Sequence, residues 1–142
     1  MLRVSRSGAP EMVNTGIMEL QRTPLPYSRF RVVGDLIFFS GIVPLDAAGE
    51  VVSPTFADQF AHVMSSIHDA LAAAGVGLAD VVQTRCYLVA PEYFDEFNRL
   101  YREAFVEPYP SRTTIVAGIA KPGVLLEIEM VAARVATSGA EA

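Results

Sequence analysis

The sequence predicts an α+β fold in which two helices lie on one face of a mixed β-sheet. Two stretches repeat apolar residues at helical spacing, and short apolar runs around them give the order β-β-α-β-α-β-β. One run, Leu36–Phe39, is apolar at four successive positions, which is typical of a strand covered on both faces. Because two helices cover only one face of such a sheet, a second copy of the chain is the simplest cover for the other.

Five strands are predicted from apolar and β-branched runs that are bounded by turn residues. The first two strands form a hairpin around Gly34 and Asp35. The predicted strands span residues 30–33, 36–40, 80–90, 113–117 and 125–135. In the third strand, alternation places Val82, Thr84, Cys86 and Leu88 on one face and Val81, Gln83, Arg85, Tyr87 and Val89 on the other.

Two amphipathic helices are predicted, over residues 55–74 and 91–105. In the first helix, apolar residues recur every three or four positions and form one stripe, made of Phe56, Phe60, Val63, Ile67, Leu71 and Ala74. Gly75 ends this helix. The second helix is expected to bury Phe94, Phe97, Tyr101, Ala104 and Phe105. Asn98 shares that side, where its amide either ties the helix to a loop or lines a pocket.

Length and composition indicate one globular domain that spans residues 1–142. The chain is 51% hydrophobic, and so small a fold hides only part of that apolar surface, so burial between subunits is expected. We expect an extended N-terminal segment at residues 1–23 and a flexible tail at residues 136–142. The net charge of −5 disfavours a surface that binds nucleic acid.

Cysteine use and hydropathy bear on the compartment and on metal binding. The single cysteine, Cys86, allows no intrachain disulfide and suits a reducing compartment. We find neither a signal-peptide pattern nor the roughly 20 apolar residues of a membrane span, so a cytoplasmic protein without a membrane partner is expected. His62 and His68 lie six residues apart, which is not a ligand spacing, and we expect no metal.

One arginine and a pair of glutamates in the last two strands have the clearest chemical meaning. Arg112 follows Pro110, and its planar guanidinium can hold a carboxylate through two parallel hydrogen bonds. Residue type alone favours a surface or interface salt bridge. Glu127 and Glu129 lie two residues apart and point to one face of a strand. That face is either solvated, which periodicity favours, or it presents a glutamate that handles a proton in an interface pocket.

Several short motifs across residues 24–135 resemble one family in their order and spacing. They are Pro26-Tyr27, Leu36-Ile37-Phe38-Phe39-Ser40-Gly41 followed by Pro44, Ala72-Ala73-Ala74-Gly75 with Leu78-Ala79-Asp80-Val81-Val82, Phe97-Asn98 with Tyr101 and Phe105, Tyr109-Pro110-Ser111-Arg112-Thr113, and Leu126-Glu127-Ile128-Glu129. Together they resemble the Rid family, also called YjgF-type enamine/imine deaminases and earlier named as translation inhibitors or endoribonucleases.

This resemblance implies a chorismate-mutase-like two-layer sandwich and a homotrimer with a pocket at each subunit interface. It implies a reaction without a cofactor, in which 2-imino or enamine acids such as 2-aminoacrylate are hydrolysed to 2-keto acids and ammonia. Arg112 would bind the substrate carboxylate, and Glu127 would activate water. The residues implied to shape the pocket are Tyr27, Ser40, Gly41, Asn98 and Thr114. The implied partners are a small imino, enamine or keto acid and further copies of the chain, with no nucleic acid.

Three positions close to the implied pocket differ from the family pattern and bear on the substrate. Leu25 replaces a glycine, Ile42 replaces a glutamine and Thr114 replaces a cysteine. One alternative is therefore a pathway-specific relative, such as an aminomuconate-type deaminase. Another is a family member that binds a small molecule without catalysis. An action on RNA is a third alternative, which the acidic composition disfavours.

Overall fold

The computed structural model describes residues 24–134, and the segments expected at residues 1–23 and 136–142 lie outside this range. Five strands and two α-helices follow one another in the predicted order. The strands are β1 (Phe30–Val33), β2 (Leu36–Ile42), β3 (Val81–Leu88), β4 (Ser111–Val116) and β5 (Leu126–Ala133). The helices are α1 (Phe56–Ala73) and α2 (Phe94–Ala104), and short 3-10 turns at Leu78–Asp80 and Pro91–Tyr93 precede β3 and α2.

The strands form one mixed sheet in the order β1-β2-β5-β3-β4. The pair β3 and β4 is parallel, and the other pairs are antiparallel. A parallel pair needs a crossover connection, which α2 provides between these two strands. The last strand, β5, lies at the centre of the sheet, whereas β4 lies at an edge. The two strands that carry Glu127 and Arg112 are therefore separated by β3.

Both helices pack on the same face of the sheet and form one hydrophobic core with it. The sheet contributes Ile37, Phe39, Cys86, Leu88, Leu126, Ile128 and Met130, and the helices contribute Phe56, Phe60, Val63, Ile67, Leu71, Phe97 and Tyr101. This two-layer arrangement confirms the prediction of two helices on one face of a mixed sheet. Neither helix of the region that the structure describes is long and apolar enough to cross a membrane.

The predicted alternation of β3 is wrong at its first two residues. Val81 is buried, and Val82 is 40% exposed, which is the reverse of the expected order. A bulge between Val81 and Gln83 shifts the register of β3 against β5. Since a bulge adds one residue to one strand, it reverses the faces of the residues that precede it. From Thr84 onward the predicted faces are correct.

The predicted burial of Phe94 at the start of α2 is also wrong. Phe94 is 42% exposed, whereas Tyr93, one residue earlier, is partly buried against the core. The Tyr93 ring stacks on Phe56 with the ring centres 4.9 Å apart. The 3-10 turn Pro91–Tyr93 precedes α2 and has fewer residues per turn than an α-helix. The buried side of this turn therefore falls on Tyr93 and not on Phe94, which a uniform α-helical pattern over residues 91–105 would bury.

The face of the sheet that points away from the helices is not covered by any of residues 24–134 and is partly apolar. Leu36 and Phe38 of β2 are 41% and 45% exposed, and Ile115 of β4 is 47% exposed. Tyr87 and Glu127 lie between these apolar positions, on β3 and β5. We call this surface the open face. Exposed apolar surface of this kind marks a contact surface in many proteins.

Replacing Leu71 with alanine tests the core between α1 and the sheet. Leu71 is 1% exposed, so Leu71→Ala should lower the free energy of unfolding by about 2–5 kcal/mol. The matched control is Leu25→Ala, because Leu25 is 68% exposed and its loss should change that free energy by less than about 0.5 kcal/mol. Urea denaturation at one protein concentration measures both variants, and equal losses would contradict the core described above.

Candidate functional site

Arg112 lies on the edge strand β4, and its side chain points under helix α2. It is paired with Thr84 of β3, whose side chain is buried on the helix side of the sheet. The guanidinium carbon of Arg112 lies 4.8 Å from the centre of the Tyr101 ring and 5.4 Å from the centre of the Phe97 ring. Contact with the faces of two aromatic rings stabilises the positive charge in this half-buried position.

A hydrogen bond from α2 fixes the same guanidinium beside a pocket. Arg112 Nη2 donates to Asn98 Oδ1 at 2.6 Å, so Asn98 ties the helix to the strand and also lines the pocket. The pocket has a volume of about 330 Å³ and is lined by Asn98, Tyr101, Arg102, Tyr109, Pro110 and Arg112. Within residues 24–134 the only ion pair joins Arg99 to Glu103, so no carboxylate of that region neutralises Arg112. The other N–H groups of its guanidinium can therefore hold an anion.

Glu127 lies on the central strand β5 and points to the open face. It is paired with Tyr87 of β3, and its neighbours Leu126 and Ile128 are buried on the helix side. The Glu127 carboxylate lies against Gly41 of β2, where an added β-carbon would overlap with Glu127 Oε1. A glycine at position 41 therefore leaves the room that this carboxylate occupies.

Burial raises the pKa of the Glu127 carboxyl above its ordinary value, and the negative charge of Glu129 raises that pKa further. Glu129 has a different role, because it accepts a hydrogen bond from the Tyr87 hydroxyl. That bond raises the pKa of Tyr87, so the phenol stays neutral and acts as a donor. The two glutamates share one face, as predicted, but only Glu129 has a hydrogen-bonding side-chain partner within the described residues.

Tyr27, Ser40 and Gly41 line a second pocket, with a volume of about 270 Å³. Its other lining residues are Leu25, Arg29, Ile42, Ser66 and Ala70. The Ser40 hydroxyl donates a 2.6 Å hydrogen bond to the carbonyl of Ser28. This bond holds the segment that carries Tyr27 against β2. Three of the residues predicted to shape a pocket therefore lie together, in a different pocket from Arg112.

Thr114 lies on the same face of β4 as Arg112 and is paired with Cys86 of β3. Its hydroxyl oxygen is buried and has no hydrogen-bond partner among residues 24–134, and it does not line the Arg112 pocket. Burial raises the pKa of the Cys86 thiol to about 11, so this thiol is neutral and packs as a small apolar group. Within the described region no group of three His, Cys, Asp or Glu side chains is placed to hold a metal ion.

The predicted catalytic residues lie on opposite faces of one sheet. Arg112 is paired with Thr84, and Glu127 is paired with Tyr87. These two β3 residues differ by an odd number of positions, and successive side chains of a strand point to opposite faces. One chain therefore does not bring the guanidinium of Arg112 and the carboxylate of Glu127 together.

Two residues that line the Arg112 pocket, Arg102 and Tyr109, were not predicted from the sequence. Arg102 lies four residues after Asn98, one turn further along the same side of α2. That spacing is the signal that could have identified it. Tyr109 stood in a motif without an assigned role, and its hydroxyl donates to the carbonyl of Arg102 at 3.4 Å. This contact connects the segment before β4 to the end of α2.

Comparison with known proteins identifies the family. The family model described as Endoribonuclease L-PSP matches residues 20–134. A RutC family protein of Pyrococcus horikoshii is 35% identical over 108 residues, which are 75% of this chain and 86% of that protein. The chain belongs to the Rid family, also called the YjgF/RutC family. The family resemblance inferred from the motifs is thereby confirmed.

Rid proteins with more specific names are similarly related to this chain. The 3-aminoacrylate deaminase RutC of Acinetobacter baylyi is 34% identical over 108 residues, which are 75% of this chain and 86% of that protein. The crystal structure of RidA from the Antarctic bacterium Psychrobacter sp. PAMC 21119 matches with a TM-score of 0.72 at 27% identity. The match covers 79% of this chain and 91% of that one. The predicted α+β fold class is confirmed by this structural similarity.

Replacing Glu129 with glutamine should lower the pKa of Glu127, because the neighbouring negative charge is removed. The pKa should stay above its ordinary value, since burial is the larger cause of the shift. NMR titration of the side-chain carboxyl carbon measures this change. Glu103→Gln is the control, because Glu103 lies on α2 beside Arg99 and its loss should leave the Glu127 pKa unchanged. An unchanged pKa in Glu129→Gln would show that the two carboxylates are not coupled.

Proposed function

We propose that this protein hydrolyses short-lived 2-imino or enamine acids to 2-keto acids and ammonia. This proposal rests on the position and the contacts of the Arg112 guanidinium. Its guanidinium lines a pocket of about 330 Å³, is held by Asn98, and has no carboxylate partner among residues 24–134. A planar cation fixed in this way is suited to hold the carboxylate of a small acid.

The aromatic contacts of Arg112 prepare it for binding. Arginine side chains lose considerable rotamer freedom when they bind a ligand. The Tyr101 and Phe97 rings and the Asn98 oxygen hold the guanidinium from two sides before any ligand arrives. Burial raises the pKa of Tyr101 to about 12, so this ring is uncharged. The bound acid is therefore oriented by a group that is already in place.

We place the complete site at the seam between two chains of a homotrimer. Arg112 and Glu127 point to opposite faces of one sheet, so their joint action needs Arg112 of one copy and Glu127 of another. The open face, with Phe38 and Ile115 about half exposed, is a suitable surface for such a contact. Tyr27, Ser40 and Gly41 would then join Glu127 in forming the wall opposite Arg112.

The proposed reaction requires the protein only to hold the substrate in position and to supply one group that carries a proton. An iminium carbon is already electrophilic, so water can attack it directly. Glu127 takes a proton from the attacking water, which forms a carbinolamine, and passes that proton to the amino nitrogen. The carbon–nitrogen bond then breaks as the hydroxyl group of the carbinolamine loses its proton to solvent and becomes the keto carbonyl. The products are a 2-keto acid and ammonia, and the carboxylate returns to its first state. A glutamate with a raised pKa holds and releases a proton closer to neutral pH than an ordinary one does.

The known relatives support this class of substrate more than a nucleic acid. One relative is named a 3-aminoacrylate deaminase, and 3-aminoacrylate is itself an enamine acid. The family model is described as an endoribonuclease, but the chain has a net charge of −5. RNA phosphates are bound by surfaces rich in lysine and arginine. We also propose a cytoplasmic location, since a single cysteine suits a reducing compartment.

Replacing Arg112 with lysine tests the proposed carboxylate anchor. Lysine keeps the charge but lacks the planar fork and the stacking surface, so kcat/KM for imino-acid hydrolysis should fall by at least about 100-fold. An amino-acid oxidase generates the imino acid in the assay, and ammonia and keto-acid release are followed. Arg99→Lys is the matched control, because Arg99 pairs with Glu103 and lies outside the pocket.

Two outcomes of this assay would contradict the proposed function. One is a wild-type protein that fails to accelerate the hydrolysis of several different imino acids. The other is an Arg112→Lys variant that is folded and as active as the wild type. Equal losses in Arg112→Lys and Arg99→Lys would indicate a general effect of the substitution on the fold.

A further inference from the structure

The pocket of Arg112 contains a second arginine that the proposed reaction does not use. Arg102 lies on α2 one turn after Asn98 and lines the same pocket of about 330 Å³. Asn98 contacts the guanidinium of Arg112 directly. Side chains four residues apart on a helix have β-carbons about 5–6 Å apart. Arg102 therefore starts one helical turn from the residue that holds Arg112.

The two charged residues that line this pocket are both arginines. None of its lining residues, which are Asn98, Tyr101, Arg102, Tyr109, Pro110 and Arg112, is an aspartate or a glutamate. Within residues 24–134 neither of the two arginines forms an ion pair. Two unpaired cations in one pocket repel each other, and an anionic ligand removes that cost. The surrounding chain is acidic overall, with a net charge of −5, so the positive pocket is a local feature.

The contacts of the pocket limit where Arg102 can act. Arg102 is exposed, and the Tyr109 hydroxyl is bonded to its backbone carbonyl. The backbone of Arg102 is thus tied to the segment before β4, and the residue lines the pocket from an exposed position. Arg112, by contrast, is half-buried beneath the Tyr101 ring. Of the two arginines that line this pocket, Arg112 is therefore half-buried and Arg102 is exposed.

We infer that the preferred substrates are 2-imino dicarboxylic acids, whose second carboxylate binds Arg102 at the rim of the pocket. This inference rests on the proposed function and names its substrate class. Arg112 holds the carboxylate next to the imino carbon, and Arg102 holds the distal carboxylate. The pocket volume lies in the range of small-molecule sites.

Binding of two keto acids of equal length tests this inference without any catalytic step. 2-Oxoglutarate has a terminal carboxylate at the position where 2-oxopentanoate has a methyl group. Isothermal titration calorimetry at low salt should show that 2-oxoglutarate binds about tenfold more tightly. The difference should shrink as the salt concentration rises, because Arg102 is exposed and its charge is screened.

Variants of two arginines on α2 show whether Arg102 causes that preference. Arg102→Gln should abolish the tenfold ratio between the two acids, and Arg102→Lys should retain only part of it, because lysine keeps the charge without the fork. Arg99→Gln removes a cation from the same helix outside the pocket and should leave the ratio unchanged. Circular dichroism checks that each variant is folded.

The outcomes separate this inference from the proposed function. If both keto acids bind equally to the wild type, or the ratio persists in folded Arg102→Gln, the inference is wrong. Hydrolysis of imino monocarboxylates would then still stand as the proposed function. If 2-oxoglutarate binds in an Arg102-dependent way but no imino acid is hydrolysed, the ligand class stands and the deaminase proposal fails.

Discussion

The alternation of side chains across one β-sheet determines where chemistry can occur in this protein. Strand β3 separates β4 from β5, and its residues Thr84 and Tyr87 are the partners of Arg112 and Glu127. A guanidinium on the helix side and a carboxylate on the open face cannot meet through a packed sheet. Any function that uses both groups on one small ligand therefore depends on contact between two chains.

The core explains why the two faces of the sheet differ so much. Aliphatic and aromatic residues of both helices bury one face, and this burial is the main stabilising contribution to the fold. The other face keeps exposed apolar residues, together with the hydrogen-bonded pair of Tyr87 and Glu129. Covering that face with a second copy would bury Glu127 further. Since burial disfavours a charged carboxyl, the pKa of Glu127 would rise beyond its value in one chain.

Much of the fold could be predicted from the sequence because its patterns are local. The stripe of α1, the hairpin at Gly34 and the alternation of β5 each depend on neighbours within one element. The errors arise where one element alters another. The bulge that exposes Val82 depends on the register of β3 against β5. The exposure of Phe94 depends on a 3-10 turn whose Tyr93 packs on α1.

The site was predicted residue by residue but not in its arrangement. Chemistry and family resemblance together singled out Arg112, Asn98 and Glu127. Their distribution over two faces follows from the register of β4 and β5 against β3, which the sequence does not specify. Arg102 lies on the same side of α2 as Asn98, but no sequence pattern distinguishes it from other exposed arginines on helices. Only the structure shows that it lines a pocket. The reactive groups could therefore be predicted from the sequence, whereas the structure shows which of them share a pocket.

Subunit mixing tests most directly whether one site combines residues of two chains. Arg112→Ala and Glu127→Ala chains carry different tags, are co-expressed, and their mixed assemblies are purified for the imino-acid hydrolysis assay. Each variant alone should be inactive, and mixed trimers should recover about a third of wild-type activity, because one of the three seams in every mixed trimer combines an intact Arg112 with an intact Glu127. Mixed assemblies of verified composition that remain as inactive as the single variants would show that Arg112 and Glu127 do not act across a seam between two chains.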